Sequence, residues 1–317
     1  MNFFIFISNY LLIEAKLPFE IIPNHLIKRA NKEQIERIQN FFVQYGHSDK
    51  LFYGFKLKTS KEQNSWSIKP DYPLTIENSR YYIIEAGSNN FQFHKLQSAL
   101  WLCKKRIHAD ITFGFVQNQL TGGGNFVSFQ NYFSSYEYII NLAESEANQT
   151  NTISEHDLLE IRELYNLITT LDKKKFIFSG RAVVEYNNLK SLPIEAEIRK
   201  LIYFIIWESL LTHKPDPKDP TDSITRQLKG KISLVNNRLE DKIDLHNLCG
   251  ETKLDTIIKA LYNYRSDLIH TGYSSFIGKK SILKNKKNVE LILDEITTKL
   301  IKGALREPQL IYDLKKC

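Results

Sequence analysis

An arginine and a histidine stand five positions apart at the end of an apolar helical pattern, within the stretch Tyr262–Gly272. The guanidinium group of arginine matches the oxygens of a phosphate, and an imidazole moves a proton near neutral pH. Arg265 and His270 are therefore candidate catalytic residues for the cleavage of a phosphodiester without a metal ion.

A regular helix separates these two side chains. Five helical residues turn through about 500°, so that Arg265 and His270 lie about 140° apart around the axis. Both can act on one phosphate only if the last turn unwinds or if a second copy of the chain contributes to the site. The candidate chemistry therefore predicts that two copies of the chain associate, unless the last turn of the helix unwinds.

The same residues also have plain structural interpretations. His270 fits a helix-end histidine that the macrodipole stabilises. Arg265 fits a solvated residue, or a partner of Glu208, which lies inside the apolar segment 195–212. Ser266 and Asp267 are candidate supporting residues, and both fit an ordinary helix surface equally well.

Helices must position these residues, because the hydrophobic period is helical throughout the C-terminal half. The most apolar helix, 195–212, is expected to be buried on nearly all sides and to end before Pro215. The helix with Arg265 is expected to end at Thr271-Gly272. The predicted helices are 156–171, capped by Ser154, then 181–189, 195–212, a helix from Thr221 or Asp222 to Val235, 254–270, and 289–300.

The N-terminal half mixes strand and helix patterns. Its apolar and β-branched runs predict strands, and an amphipathic helix capped by Asn31 extends to Phe42. The predicted elements are a strand or strand pair at 3–13, an extended connector at 17–23, strands at 80–85 and 111–116, loop and edge strand at 50–78, and a helix at 91–105. The triple glycine in 121–125 lacks the Gly-Lys-Ser/Thr ending of a phosphate loop and predicts a hairpin turn or a mobile loop.

The polar stretch Glu144–Ser154 predicts a boundary between two domains. The fold class expected is α+β, with a mixed N-terminal domain at 1–150 and an all-α bundle at 151–317. The 317 residues are 42% hydrophobic, enough to form a substantial core in each half.

The chain is basic, with a formal net charge of +7 and a pI near 9.0. Residues 151–317 hold 28 Lys and Arg against 23 Asp and Glu, most of the excess. A polyanionic partner such as nucleic acid fits this charge, and so does a compositional bias toward Lys, Asn and Ile. Within the run 279–287, Lys279, Lys280 and Lys284 are candidates for contacting RNA phosphates, and a solvated loop is the plain alternative.

No motif for a cofactor or a metal is present. The eight histidines are scattered, and the three cysteines form no CxxC, so that we expect no metal ion, no cofactor and a reducing cytoplasm. The apolar opening Phe3–Ile13 lacks a basic flank and is too short to span a bilayer, so that we expect a buried strand and no membrane partner.

Two segments together resemble the HEPN superfamily, in its ApeA-like branch. The hallmark of the superfamily is Arg, four to six residues, then His, and here four residues separate Arg265 from His270. The branch's Leu/Ile-Glu-Ser/Ala-Leu signature resembles Glu208-Ser209-Leu210, and its Arg-Ser-x-Ile/Val-His motif is similar to Arg265–His270. The resemblance covers about residues 180–290.

This resemblance implies a homodimer whose two motifs line one cleft and cut RNA, leaving 2′,3′-cyclic phosphate and 5′-OH ends. It implies a cytoplasmic effector in phage defence or toxin-like growth arrest, released by a phage-derived or host trigger. Residues 17–21 are similar to regions that precede such domains in defence proteins, so that domain 1–150 is expected to sense or regulate. The alternative is a non-catalytic HEPN-like dimerisation or RNA- or nucleotide-binding module, and a third option is a structural protein whose motif is coincidental.

The chain departs from the family pattern at two positions. Ser266 stands where other branches have Asn, Asp or His, which removes a polar helper. Gly272 stands at the position of a tyrosine that some HEPN toxins use for silencing by nucleotidyl transfer, and Tyr273 lies one residue later. We therefore expect no regulation of that kind.

Overall fold

The computed structural model describes residues 3–9, 11–44, 79–86, 93–109, 111–118, 122–129, 151–193, 195–219 and 222–316. The chain divides into two compact units, Met1–Asn166 and Leu167–Cys317. The division falls inside a helix, because the strand Asn151–Ile153 and the first turns of that helix pack with the N-terminal unit.

The N-terminal unit contains a sheet in which, among the described residues, six strands pair antiparallel in the order β3-β4-β5-β1-β6-β7. A separate parallel pair joins β2 to β8. The strands are β1 Phe4–Phe6, β2 Leu11–Ile13, β3 Phe19–Ile22, β4 His25–Arg29, β5 Tyr82–Ala86, β6 Ile111–Asn118, β7 Gly122–Phe129 and β8 Asn151–Ile153.

Helix α1 (Lys32–Gln44) packs on this sheet, and α2 (Phe93–Leu102) is buried at most positions. A reciprocal capping box begins α1: Asn31 Oδ1 accepts from Gln34 N at 2.9 Å, and Gln34 Oε1 accepts from Asn31 N at 2.9 Å. The predicted cap at Asn31 is therefore confirmed. The core under α1 is aromatic, with Phe4 stacked on Phe113 at 5.0 Å between ring centroids.

Two N-terminal predictions were wrong in detail. Gly122–Gly124 form no turn but begin β7, where they pair with Val116–Asn118 of β6; glycine has no side chain whose pattern could reveal a strand. Phe19–Ile22, expected in a connector, is the strand β3 at one end of the sheet order, since the extended backbone beside proline suits such an edge position. The predicted loop and strand at 50–78 lies outside the described residues.

The second unit is a helical bundle, as the hydrophobic period predicts. Helix α3 (Glu155–Thr170) crosses the division between the units. The remaining helices are α4 Ile177–Lys190, α5 Glu197–Leu211, α6 Ile224–Arg238, α7 His246–Cys249, α8 Leu254–Thr271, a 3-10 helix Gly278–Leu283, α9 Lys286–Arg306 and α10 Pro308–Lys316. Helix α9 is longer than predicted, because Asn285 caps it early through its side chain. Helix α10 was not predicted.

Helix α9 is buried along most of its length and contacts α4, α5, α6 and α10. It carries a polar network into the core of the bundle. Asp294 Oδ1 accepts from Lys190 Nζ at 2.9 Å, from Tyr186 OH at 3.0 Å and from Tyr203 OH at 3.1 Å. Burial, followed by the charge of Asp294, raises the pKa of Tyr203, so that its hydroxyl stays a donor.

One turn earlier on α9, Glu290 holds α5 in the same way. Its Oε1 accepts from Arg199 Nε at 2.7 Å and from Tyr203 OH at 2.9 Å. Further along α5, Trp207 Nε1 donates to Thr297 Oγ1 at 2.6 Å. Three contacts at successive turns thus fix how α5 lies against α9.

We expect Asp294→Ala to lower the free energy of unfolding by about 3 kcal/mol or more, because it leaves the buried Lys190 ammonium without its carboxylate. Urea denaturation followed by circular dichroism at 222 nm measures this. Asp313→Ala, which removes an exposed carboxylate on α10, is the control and should change the value by less than about 0.5 kcal/mol. Equal effects of the two substitutions would contradict a stabilising role for the network.

Candidate active site

Helix α8 presents the two candidate catalytic residues on different sides. Its buried stripe includes Ile257, Leu261, Tyr264 and Leu268, and Arg265 lies beside this stripe, half-buried. The helix ends where predicted: Gly272 takes a left-handed conformation with φ of 71°, and its N–H donates to Leu268 O at 3.1 Å.

Glu208 of α5 and Arg265 of α8 form an ion pair across 57 residues of sequence. Arg265 Nη2 lies 3.1 Å from Glu208 Oε1 and 3.4 Å from Oε2. Tyr262 OH donates to the same Oε1 at 2.5 Å, and the guanidinium carbon of Arg265 lies 5.1 Å from the centre of the Tyr262 ring. These three side chains form the Glu208–Tyr262–Arg265 cluster.

The hydrogen bonds of the cluster leave part of the Arg265 guanidinium without an acceptor among the described residues. Burial, then the hydrogen bond to Glu208, raises the pKa of Tyr262, so that its hydroxyl remains a donor to the carboxylate. Both contacts between Arg265 and Glu208 run through Nη2 of the arginine. No described residue accepts a hydrogen bond from Nε or Nη1. With its side chain 26% exposed, Arg265 has donors left for an external anion such as a phosphate.

His270 is exposed, and no residue in the described ranges forms a hydrogen bond with its ring. Helix α8 stays α-helical through Thr271, so that the last turn does not unwind. The separation of about 140° between Arg265 and His270 therefore persists. A single chain does not direct both groups at one phosphate.

The two candidate supporting residues differ in their surroundings. Asp267 Oδ2 accepts from Ser274 Oγ at 2.7 Å and forms an ion pair with Lys280. It therefore ties the segment after Gly272 back onto α8 and does not contact Arg265. Ser266 is exposed, and no hydrogen bond to its side chain occurs among the described residues.

The three candidate RNA-binding lysines also separate into two kinds. Lys280 is 16% exposed at its side chain and is engaged by Asp267 and by Ser274 Oγ, which lies 3.0 Å from Nζ. Lys279 and Lys284 are exposed, and neither meets an acidic partner in the part of the chain that the structure describes. Lys279 and Lys284 are thus free to contact phosphates, as far as the described residues show. Lys280 instead stabilises the loop through its contacts with Asp267 and Ser274.

Two residues make contacts at the site that the sequence does not predict. Tyr262 stands three residues before Arg265, and this i, i+3 spacing is the only signal that it shares a surface with the arginine. Lys315 of α10 caps the end of α5 by donating to Thr212 O at 2.6 Å and to Glu208 O at 3.3 Å. Burial, then the charge of Lys231, lowers the pKa of Lys315.

Two of the scattered histidines have an acidic partner, and one of the two pairs is exposed: His246 Nδ1 lies 3.3 Å from Glu251 Oε1. His213 Nε2 lies 3.2 Å from Asp222 Oδ2, and the backbone N–H of Asp216 donates to the same oxygen at 2.8 Å. The hydrogen bond from Asp216, then those from Gln227 and His213, holds the pKa of Asp222 below its usual value. The contacts of Asp222 with His213 and Asp216 stabilise the conformation of the proline-rich loop after α5.

Within the described ranges, no group of three or more His, Cys, Asp and Glu side chains is placed to hold a metal ion. In the same ranges, no helix is both long enough and apolar enough to cross a membrane.

Comparison with known proteins brings no further information on the site. No protein-family model, curated protein or solved structure matches the chain. The functional interpretation rests on the geometry of the cluster and on the motif resemblance.

The contribution of Asp267 to the stability of the fold should depend on pH in the acidic range. The hydrogen bond from Lys280, then that from Ser274, lowers the pKa of Asp267, so that its contribution to stability is present above about pH 4 and is lost below it. Asp267→Asn lacks this contribution. We expect the difference in urea midpoint between wild type and Asp267→Asn to narrow as the pH falls from neutral to about 2. A constant difference over this range would show that the carboxylate charge is not involved.

Proposed function

We propose that this protein is a metal-independent endoribonuclease of the HEPN type, with Arg265 and His270 as catalytic residues in a cleft shared by two copies. It acts in the cytoplasm as an effector in phage defence or toxin-like growth arrest, under the control of a phage-derived or host trigger. RNA is its substrate and a second copy of the chain is its partner.

One observation carries this proposal: Glu208 and Arg265 meet in space at 3.1 Å. The two residues belong to the two separate segments on which the HEPN resemblance was based. A purely structural ion pair would also join these two residues, and what favours the nuclease is that each residue lies in one of the two segments of the HEPN resemblance. The ion pair supports reading both segments as parts of one site.

The geometry suits phosphodiester cleavage by proton transfer. His270 of one copy takes the proton from a 2′-OH, and the 2′ oxygen attacks the adjacent phosphorus. The bond to the 5′ oxygen breaks, and the second copy's histidine gives that oxygen a proton. The products are a 2′,3′-cyclic phosphate and a 5′-OH, while Arg265, oriented by Glu208, stabilises the charge that develops on the phosphate.

The requirement for a second copy follows from α8 and from the surface beside the ion pair. One helix holds Arg265 and His270 about 140° apart, and one histidine cannot serve as base and acid in the same step. Ile205, 45% exposed, precedes Glu208 by three residues, and Ile269, 49% exposed, follows Arg265 by four. These isoleucines provide apolar contact area next to the cluster, where a second copy would bury it.

We expect Arg265→Ala to lower RNA cleavage in EDTA by about 10²–10³-fold and His270→Ala by about 10²–10⁴-fold. Gel analysis of a labelled RNA measures cleavage and identifies the ends, and expression toxicity in cells should fall in parallel. Matched controls are Arg238→Ala, which breaks the exposed ion pair with Glu307, and His246→Ala, whose side chain is 62% exposed.

Both controls should cleave like the wild type. If wild type and both site variants are equally harmless and no RNA is cut, the nuclease proposal fails.

The rival function is a non-catalytic HEPN-like module for dimerisation or for binding RNA or a nucleotide. The half-buried Arg265, already neutralised by Glu208, is compatible with it. RNA would then bind without being cut, and the Arg265 and His270 variants would keep biological activity. The N-terminal unit fits either function as a sensing or regulatory part.

A further inference from the structure

The segment that follows α8 exposes a large aromatic side chain. Tyr273 comes three residues after His270 and is 64% exposed, and Ile277 on the same segment is 77% exposed. The ring of tyrosine has flat faces on which a planar partner can stack, and its hydroxyl group tolerates contact with water.

The backbone that presents Tyr273 is held on both sides. Before it, Gly272 closes the helix through its bond to Leu268 O, and Tyr273 N donates to Thr271 Oγ1 at 3.3 Å. After it, Ser274 is 1% exposed and is bound to Asp267. The ring is thus displayed from a fixed position, which lowers the entropy lost when it binds a partner.

The segment is braced further along as well. Phe276 stacks on Tyr264 of α8, with 5.9 Å between ring centroids and 27° between ring planes. Lys280 reaches back to Asp267 and Ser274. The segment from Tyr273 to Leu283 therefore forms a platform on α8, with apolar groups at Tyr273 and Ile277 facing solvent.

Lysines predominate in the platform segment, and the carboxylates of Glu195 and Glu197 lie near Lys286. Residues 273–288 contain five lysines and no acidic residue. Lys280 is paired with Asp267 and Lys286 with Glu197, which lies 2.5 Å from its Nζ. The other three, Lys279, Lys284 and Lys287, are exposed and have no acidic partner among the residues described.

We infer that this platform binds single-stranded RNA, with a base stacked on Tyr273 and the adjoining phosphates on Lys279, Lys284 and Lys287. The inference rests on the proposed function and deepens it by assigning the surface that holds the unpaired bases of the RNA. Bases in a duplex are enclosed and cannot reach a flat ring, whereas unpaired bases stack readily on aromatic side chains. A second copy would bring the same three lysines to this surface, and like charges would repel it.

Fluorescence anisotropy with labelled oligouridine, and with a duplex RNA of the same length, tests the inference. All proteins are full length and carry His270→Ala, so that the RNA stays intact. We expect Tyr273→Ala to weaken oligouridine binding by about 5- to 150-fold and to leave duplex binding unchanged. Tyr273→Phe keeps the ring and should keep the affinity. Lys279→Ala and Lys284→Ala should weaken binding and reduce its dependence on salt.

If the Tyr273→Ala variant binds oligouridine as tightly as its parent, the inferred RNA-binding role of the platform is wrong. Loss of dimerisation on Tyr273→Ala, measured by sedimentation equilibrium, would also overturn it, because the surface would then belong to the second copy. These failures are distinct from failure of the proposed function. If the protein with native His270 cuts RNA and Tyr273→Ala cuts oligouridine equally well, only the platform is wrong; if the native protein cuts no RNA, the nuclease itself is wrong.

Discussion

The ion pair between Glu208 and Arg265 is the interaction on which the candidate site depends. It joins α5 to α8, and its geometry is determined by how these helices lie in the bundle. Helix α5 is held against α9 by hydrogen bonds from Arg199 and Tyr203 to the buried carboxylates of α9. Glu208 therefore has a defined position from which it orients Arg265, whose Nε and Nη1 have no acceptor among the described residues.

A second constraint is the regularity of α8. Because the helix is unbroken to Thr271, Arg265 and His270 point to different sides. The same regular ending allows Gly272 to turn the chain back, and Asp267 then fixes the following segment on the helix. The candidate catalytic residue His270, the exposed Tyr273 and the lysines that meet no acidic partner among the described residues thus follow one another on a short stretch of chain.

Much of the fold follows from local patterns, because apolar spacing and end signals act within a few residues. Asn31 and Gln34 cap α1 as expected, and Gly272 ends α8. Gly122–Gly124 were misassigned because a strand of glycines has no side-chain period. In the site, the Arg265–His270 motif and Glu208 could be found from sequence, whereas the hydrogen bond from Tyr262 could not, since it depends on the packing of α5 against α8.

A mixing experiment tests the shared cleft most directly. Wild-type protein is equilibrated with increasing amounts of a copy that carries both Arg265→Ala and His270→Ala, and RNA cleavage is measured per wild-type chain. If two copies build one active centre, each inert copy disables the wild-type copy that it joins, and cleavage per wild-type chain falls as the inert fraction rises. Cleavage per wild-type chain that stays constant at every ratio would contradict the account.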